Sequence, residues 1–374
     1  MFYGHADVVT TKGQKWGIPP FEGSIQGGYV WGRGALDMKG GIAMMLSAFV
    51  RAKVEGLQLK GDVVLAVVSD EEAGGDFGSR FLVEKHPGIF DGIHYAIGEF
   101  GGFTIHMDNR RFYPIMVAEK QRCWLRATLR GQGGHGSMPV RGGAMAKLAH
   151  LLQKIDRNRL PAHVTPVARQ MIDTFASSLG GIKGFVLARL GNPLFTDKVL
   201  DILGSNGRFF DPLLHNTVSP TVLHGSRLIN VIPSEVSVEL DGRLLPGYGP
   251  DDLISELRSI TGSDIEFDLI RFDTGPGKPD MGLFDTLSEV LLGLDSEAVP
   301  VPLLLSGVTD AQFFSHLGIQ TYGFLPMPLP KELNFSQMIH GANERIPVKA
   351  LDFGSEALYD LLRRYGHGGS NNDK

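Results

Sequence analysis

The stretch DVVLAVVSDEEAGG, residues 62–75, decides the fold class of this chain. Residues 62–69 are almost all apolar and rich in valine, which is typical of a buried strand. Three consecutive carboxylates follow, on Asp70, Glu71 and Glu72. Open α/β sheets place their ligand-binding groups at such strand ends. The stretch therefore predicts a buried strand whose end delivers acidic side chains to a binding site.

The chain around this stretch alternates between strand and helix signals. We predict strands near residues 2–9 and 93–98 and helices at 40–55 and 77–85. Strands that alternate with helices build a parallel sheet with helices on its faces. The sequence thus predicts an α/β fold with a mostly parallel sheet and flanking helices.

The pattern changes to alternating strands at about residue 119. Strands are predicted at 122–130 and 235–244, with helices near 144–155 and 164–178. We interpret residues 119–272 as a second, α+β domain.

The α/β signals return after about residue 272. They consist of helices at 283–294 and 348–365 and a strand at 321–324. We therefore predict an α/β domain formed by residues 1–118 and 273–374, with the α+β domain inserted into it. The polar end, residues 366–374, is predicted to be disordered.

Composition excludes several classes of protein. The chain has 374 residues, 43% of them hydrophobic, and its net charge of −5 comes with scattered basic residues, so we expect neither nucleic acid nor a membrane as partner. No apolar run approaches the roughly 20 residues that span a bilayer. Cys123 is the only cysteine, which rules out an internal disulfide and a thiolate metal cluster. We expect a cytoplasmic protein, with a lost N-terminal signal as the alternative.

The carboxylate run at 70–72 indicates a cation site. Adjacent carboxylates at a buried sheet end raise one another's pKa, and this arrangement is costly unless cations neutralise them. A solvated acidic turn explains the run equally well on its own. Glu99 supplies a further carboxylate next to glycines, at the end of the strand predicted at 93–98.

Three further segments carry side chains that could bind a metal. His5 lies in GHAD, where Asp7 could orient the imidazole, although a strand-end histidine is more often structural. Asp37 lies in GRGALDMKGG, for which a helix N-cap and a phosphate-cradling loop are alternatives. His340 lies in MIHGANE, near the start of the last α/β stretch.

Together these motifs resemble the M20 metallopeptidase family. GHADVV, WGRGALDMKGG, SDEEAGG, GEFGG, GGHGSMP, NVIPSE and MIHGANE occur in the order and approximate spacing of that family, across nearly the whole chain. The family includes carboxypeptidase S-like and glutamate carboxypeptidase enzymes, aminoacylases and succinyl-diaminopimelate desuccinylases. The resemblance implies a zinc-exopeptidase-like catalytic domain with an inserted dimerisation or lid domain.

The resemblance also implies a role for each metal-site residue. His5 and Glu99 would hold one divalent ion, Glu72 and His340 the other, and Asp37 would bridge them. Zinc suits this mixed set of ligands, and cobalt or manganese could replace it. Glu71 would be the general base that deprotonates a metal-bridging water, and Asp7 would orient His5.

The implied substrate contacts lie mainly in the inserted domain. His135 would reach the active site of a partner subunit and stabilise the oxyanion, which implies a homodimer. Asn230 and Arg243 match positions that contact substrate, and Arg243 could grip a free carboxylate, although pairing with a neighbouring carboxylate explains it equally well. Gly307 resembles a glycine of the loop that lines the substrate pocket.

These expectations predict a two-metal hydrolase that cleaves an amide or peptide bond next to a free C-terminal carboxylate, in a peptide or an N-acyl amino acid. Only Met1, Phe2 and Tyr3 precede the first motif, whereas family members have a substantial segment there, so we expect an N-terminally truncated chain. The alternative hypothesis is therefore a weakly active or inactive homologue that acts as a dimerising binding scaffold.

Overall fold

The computed structural model describes residues 1–59, 61–262, 265–275 and 277–367. Residues 368–374, most of the tail for which we predict disorder, lie outside the described residues. The strands are β1 (Phe2–His5), β2 (Ser24–Gln26), β3 (Tyr29–Trp31), β4 (Leu65–Val68), β5 (Tyr95–Gly98), β6 (Ile105–Met107), β7 (Arg110–Glu119), β8 (Gln121–Arg130), β9 (Gly134–His135), β10 (Thr217–His224), β11 (Val231–Ile232), β12 (Glu235–Leu244), β13 (Glu266–Asp273), β14 (Ala298–Leu305), β15 (Gln320–Gly323) and β16 (Arg345–Pro347). The helices are α1 (Lys39–Val54), α2 (Ser79–Lys85), α3 (Ala144–Arg157), α4 (Pro166–Leu179), α5 (Gly181–Ala188), α6 (Pro193–Leu203), α7 (Asp211–Leu214), α8 (Pro250–Thr261), α9 (Phe284–Leu294), α10 (Ala311–Ser315), α11 (Phe335–Met338) and α12 (Val348–His367).

The central sheet has the strand order β14-β7-β15-β5-β1-β4, and β6 pairs with β7. Strands β15, β5, β1 and β4 run parallel to one another, and β14 runs parallel to β7. Helix α1 packs against α12, and the main core lies between the helices and this sheet. The prediction of a mostly parallel sheet with flanking helices is confirmed.

Strand β4 is shorter and more exposed than predicted from residues 62–69. It lies at an end of the strand order, and Val67 is 50% exposed while Val68 is buried. The prediction of a buried strand is therefore wrong for most of its length. An apolar run shows that a strand is compatible with burial, whereas the number of neighbouring strands decides whether it is buried.

The second sheet is antiparallel, with the strand order β10-β12-β8-β13. Strand β12 alternates regularly between buried and half-exposed residues, and its buried side chains include Val236, Val238 and Leu240. These side chains form a separate core with residues of α3 and α8, such as Leu148 and Leu253. The period of two in β12 is what a sheet covered on one face requires.

Helix α4 packs on the central sheet, and the segment α4–α7 shares the main core with it, although this segment lies within the predicted inserted domain. Phe175 of α4 contacts Phe112 of β7, with ring centroids 4.7 Å apart. The chain passes between the two larger sheets at Lys120, between β7 and β8, and β13 ends at Asp273. The domain limits of 119–272 stay a prediction, because packing does not follow chain order within that segment.

Candidate metal centre

Three neighbouring parallel strands end at the candidate metal centre. His5 is the last residue of β1, Glu99 follows β5, and the turn with Glu71 and Glu72 follows β4. Since these strands are adjacent in the order β5-β1-β4, their carboxyl ends bring the side chains to one edge of the sheet.

The turn after β4 directs Glu71 and Glu72 to different neighbours. Glu71 Oε2 lies 3.9 Å from His5 Nε2, whereas Glu72 Oε2 lies 3.0 Å from His340 Nε2. A 3₁₀ turn over Glu71–Ala73 creates this separation, and Gly75 at φ 70° completes it. A Cβ on Gly75 would lie 2.6 Å from Oδ1 of Asp310, so the turn requires glycine there.

Asp7 organises both the histidine and the acidic turn. Its carboxylate accepts the backbone N–H groups of Glu71 and Glu72, at 3.3 and 3.1 Å. His5 Nδ1 lies 3.4 Å from Oδ1 of Asp7, which leaves Nε2 facing the other acidic side chains. A ligand histidine held through its second nitrogen has this arrangement.

Asp37 lies between the two histidines. Its Oδ1 is 3.2 Å from His5 Nε2, and its Oδ2 is 3.1 Å from His340 Nε2. Glu99 Oε2 lies 3.5 Å from the same nitrogen of His5. The two oxygens of one carboxylate therefore face two separate imidazoles, as a bridging ligand would.

The electrostatics of the cluster suit bound cations. Burial and the charge of Glu99 raise the pKa of Glu71 to about 10, and burial raises the pKa of Glu99 to about 7. Burial lowers the pKa of His5, but hydrogen bonds to Asp37 and Glu99 outweigh it and raise the pKa to about 12. Without metal, these shifts favour the protonated forms of His5 and Glu71. The protons neutralise part of the negative charge of the cluster, as bound cations would.

The ligand set fits divalent ions. Oε1 of Glu72 is buried and has no hydrogen-bond partner among the described residues. His5, Glu71 and Glu99 can offer ligand atoms within 4.8 Å of one another, as can His5, Asp37 and Glu72. Imidazole nitrogens and carboxylate oxygens are typical zinc ligands.

The predicted substrate residues His135 and Asn230 lie together on an exposed ribbon. His135 ends β9, which pairs with β11 directly after Asn230, and the N–H of Gly136 donates to the carbonyl of Asn230 at 2.8 Å. Among the described residues, neither side chain makes a hydrogen bond or ion pair with the metal cluster. The structure brings these two residues to each other and not to His5.

Arg243 and Gly307 have separate surroundings. Arg243 donates through Nε to Oδ1 of Asp241 at 2.9 Å and through Nη2 to Oδ2 at 3.1 Å. This is the pairing that the sequence left open as an alternative to substrate binding. Gly307 lies in the loop after β14, two residues before Thr309, whose N–H and hydroxyl both donate to Glu119 at 2.9 Å.

Comparison with known proteins decides the family. The model of Peptidase family M20/M25/M40 matches residues 1–364. This chain belongs to that peptidase family. The predicted resemblance is confirmed, and the chain is a metal-dependent hydrolase of the M20 type.

Three relatives illustrate its place in the M20 family. Probable carboxypeptidase S-like 2 of Dictyostelium discoideum is 26% identical, over 96% of this chain and 70% of that protein. The human N-fatty-acyl-amino acid synthase/hydrolase PM20D1 is 24% identical, over 97% and 73%. Aminoacylase-1 of Sus scrofa is 27% identical, over 96% and 77%.

Solved M20 structures share the fold. The M20 metallo-carboxypeptidase Sso-CP2 of Sulfolobus solfataricus matches with a TM-score of 0.66 and 15% identity, over 98% of this chain and 84% of that one. The YXEP protein of Bacillus subtilis, a dinuclear metal-binding M20 peptidase, matches with a TM-score of 0.59 and 12% identity, over 98% and 81%. In this M20 chain, no helix of the described ranges is long and apolar enough to cross a membrane.

Two residues near the candidate metal centre of this M20 enzyme were not predicted. Glu344 and Arg33 form a buried ion pair of 2.6 Å beside Asp37 and His340. In the sequence, the only indication of a role for these residues was their position in the quoted motifs, GRGALDMKGG for Arg33 and MIHGANE for Glu344.

The buried side chain of Glu119 is expected to make the folding stability of this M20 chain depend on pH. Its Oε1 is buried without a hydrogen-bond partner in the described structure. Burial raises its pKa from 4.5 to about 8, because the hydrogen bonds from Thr309 offset the lost solvation only partly. The folded chain then binds a proton that the unfolded chain has lost. This contribution to stability is present below pH 4.5 and is lost as pH rises to about 8, at about 1.4 kcal/mol per pH unit.

Glu119→Gln tests this dependence. Glutamine keeps an oxygen for Thr309 but cannot titrate, so we expect the melting temperature of the metal-free variant to fall less steeply than that of wild type between about pH 5 and pH 8. Thermal unfolding followed by circular dichroism measures both slopes. Equal slopes would contradict the protonated state of Glu119.

Proposed function

We propose that this M20 enzyme is a two-metal amidohydrolase that cleaves an amide or peptide bond next to a free C-terminal carboxylate. The observation that carries the proposal is the position of Asp37, whose two oxygens face His5 and His340 at 3.2 and 3.1 Å. Glu99 lies near His5, and Glu72 lies near His340. The residues therefore form two sets of possible ligands that share Asp37.

The metal ions are proposed to be zinc, with cobalt or manganese as replacements. The ligands would be His5 and Glu99 for one ion, Glu72 and His340 for the other, and Asp37 for both. When bound, the two ions polarise the scissile carbonyl and lower the pKa of the attacking water. Mixed imidazole and carboxylate ligands support this choice of metal.

Glu71 is proposed as the general base. Its side chain is 16% exposed and lies beside His5 without an ion pair to His340. The carboxylate accepts a proton from water as the water oxygen bonds to the carbonyl carbon. It then gives that proton to the nitrogen of the leaving amine as the C–N bond breaks. Its raised pKa in the metal-free cluster reflects burial and the charge of Glu99, so added positive charge would favour the ionised base.

The proposed substrates are peptides or N-acyl amino acids with a free carboxylate. The names of the relatives, a carboxypeptidase S-like protein, an N-fatty-acyl-amino acid synthase/hydrolase and an aminoacylase, support this class. Arg243 is the proposed carboxylate contact: Asp241 holds its guanidinium in one orientation, and Nη1 donates to no described residue. Asn230 and Gly307 are proposed as further contacts.

A homodimer through the inserted domain is part of the proposal. His135 lies exposed on the β9–β11 ribbon, and within its own chain it bonds Ser137 at 2.8 Å and no residue of the metal cluster. Leu228 is 63% exposed and Ile229 fully exposed beside this ribbon, as suits a surface covered by a second copy. His135 would then stabilise the oxyanion in the active site of the partner subunit.

Metal titration and a substrate panel test the function. We expect metal-free protein to take up two zinc or cobalt ions per chain in calorimetric titration and to gain thermal stability. We also expect it to hydrolyse dipeptides and N-acyl amino acids much faster than the same compounds with an amidated carboxyl group. Uptake well below one ion per chain would instead favour the dimerising scaffold.

A cytoplasmic location is also a proposal. It rests on Cys123, the single cysteine, which is buried and unpaired as a reducing compartment allows. Fractionation of cells that express the full coding sequence would test it.

A further inference from the structure

Glu344 is a fully buried carboxylate that holds the loop carrying Asp37. Its Oε1 accepts the backbone N–H groups of Leu36 and Asp37, at 2.8 and 3.1 Å. Its Oε2 accepts the N–H of Gly34 at 3.1 Å and Nη1 of Arg33 at 2.6 Å. Each oxygen therefore has two donors, and all four donors belong to residues 33–37.

Arg33 extends this contact to the loop that carries His340. Its side chain is buried, and Nη2 donates to the carbonyl oxygen of His340 at 3.1 Å and to Oε1 of Gln14 at 2.7 Å. Gln14 in turn donates to the same carbonyl of His340 at 2.7 Å. Two segments that lie 307 positions apart in the chain are thus joined through one guanidinium.

We propose that Arg33 and Glu344, here named the Arg33–Glu344 clamp, are positioning residues that hold Asp37 and His340 at the spacing needed for two metal ions. Asp37 Oδ2 lies 3.1 Å from His340 Nε2, and each of these residues is bonded through its own backbone to the clamp. The inference rests on the proposed metal centre. Neither clamp residue touches the reacting atoms.

The chemistry of the clamp requires a carboxylate at position 344. Glutamine has one oxygen and one NH₂ group. In Glu344→Gln, the NH₂ group would therefore face two N–H donors of residues 33–37 instead of an acceptor facing them. The buried charge of Arg33 would also lose its partner, and an unpaired buried charge is costly. Replacing a residue that orients a metal ligand without binding the metal itself typically lowers metal affinity by about 10- to 100-fold.

Glu344→Gln and Arg33→Lys test the clamp. We expect both variants to bind cobalt about 10- to 100-fold more weakly than wild type in calorimetric titration, with an altered visible spectrum of the cobalt-loaded protein. Arg33→Lys keeps the charge but reaches fewer acceptors, so it covers the case in which Glu344→Gln does not fold. Asp295→Asn is the matched control: Asp295 bonds Arg111 and Tyr113 outside the metal centre, and its loss should leave cobalt binding unchanged.

Hydrogen exchange on metal-free protein separates this inference from the proposed function. We expect the peptide that contains residues 33–38 to exchange faster in Glu344→Gln than in wild type, whether or not metal binds. Wild type that binds no ion would overturn the two-metal function. Wild type with two ions and clamp variants of equal affinity and equal exchange would overturn the clamp.

Discussion

Replacing Glu71 by glutamine is expected to lower kcat by about 100- to 10,000-fold while two metal ions stay bound. Glutamine has nearly the same shape but cannot accept a proton from water. The proposed ligand Glu72 should keep its position in this variant, because Asp7 accepts the backbone N–H groups of residues 71 and 72 and not the side chain at position 71. Steady-state kinetics and metal analysis of the same preparation measure the two quantities.

Glu72→Gln is the matched control for this prediction. The two residues are neighbours, but Glu72 lies 3.0 Å from His340 and is a proposed ligand, so we expect this variant to bind metal more weakly. Of these two variants, only Glu71→Gln should lose turnover while keeping its full metal content. Wild-type kcat in Glu71→Gln would rule out Glu71 as the base.

His135→Ala is expected to lower kcat by about 100- to 1,000-fold, and mixing it with Glu71→Gln should restore part of the activity. In the proposed homodimer, each variant would lack a different part of the active site. In a mixed dimer, the Glu71→Gln chain supplies an intact His135 to the site that retains Glu71. Random exchange of subunits gives about half mixed dimers with one complete site each, so about a quarter of wild-type activity should return.

A second mixture controls this experiment. Glu71→Gln and His5→Ala damage the same half of the site, so no mixed dimer of these two has a complete centre. We expect no recovery there. Absence of recovery in the first mixture, with mixed dimers verified by two affinity tags, would refute the role of His135 across subunits.

The strand-end part of the metal centre could be predicted from sequence. An apolar run followed by Glu71 and Glu72, and another that ends at Glu99, are local patterns, and parallel strands bring their carboxyl ends to one edge. The structure has these residues at the ends of β4 and β5, with His5 at the end of β1 between them. Which side chains meet at one edge depends on the direction of the strands. The alternation of helices and strands indicates that neighbouring strands run in the same direction.

The loop part of the centre could not be derived in this way. From the residues alone, Asp37 was compatible with a helix N-cap or a phosphate loop, and only the resemblance to a family made it a predicted metal ligand. Its position between His5 and His340 depends on contacts between distant segments, among them the Arg33–Glu344 clamp. Such contacts form only when the chain closes on itself, so no local pattern contains them.

Local patterning was sufficient for the α/β class, for the approximate positions of the six helices and six strands that were predicted, and for the acidic strand end at residues 70–72. Tertiary structure alone decided that β4 lies at an end of the strand order, that α4 packs on the central sheet, and that Asp37 faces two histidines. The physical reason is the same in each case. Periodicity shows which face of an element is apolar, whereas the partner of that face is selected by packing among segments far apart in the chain.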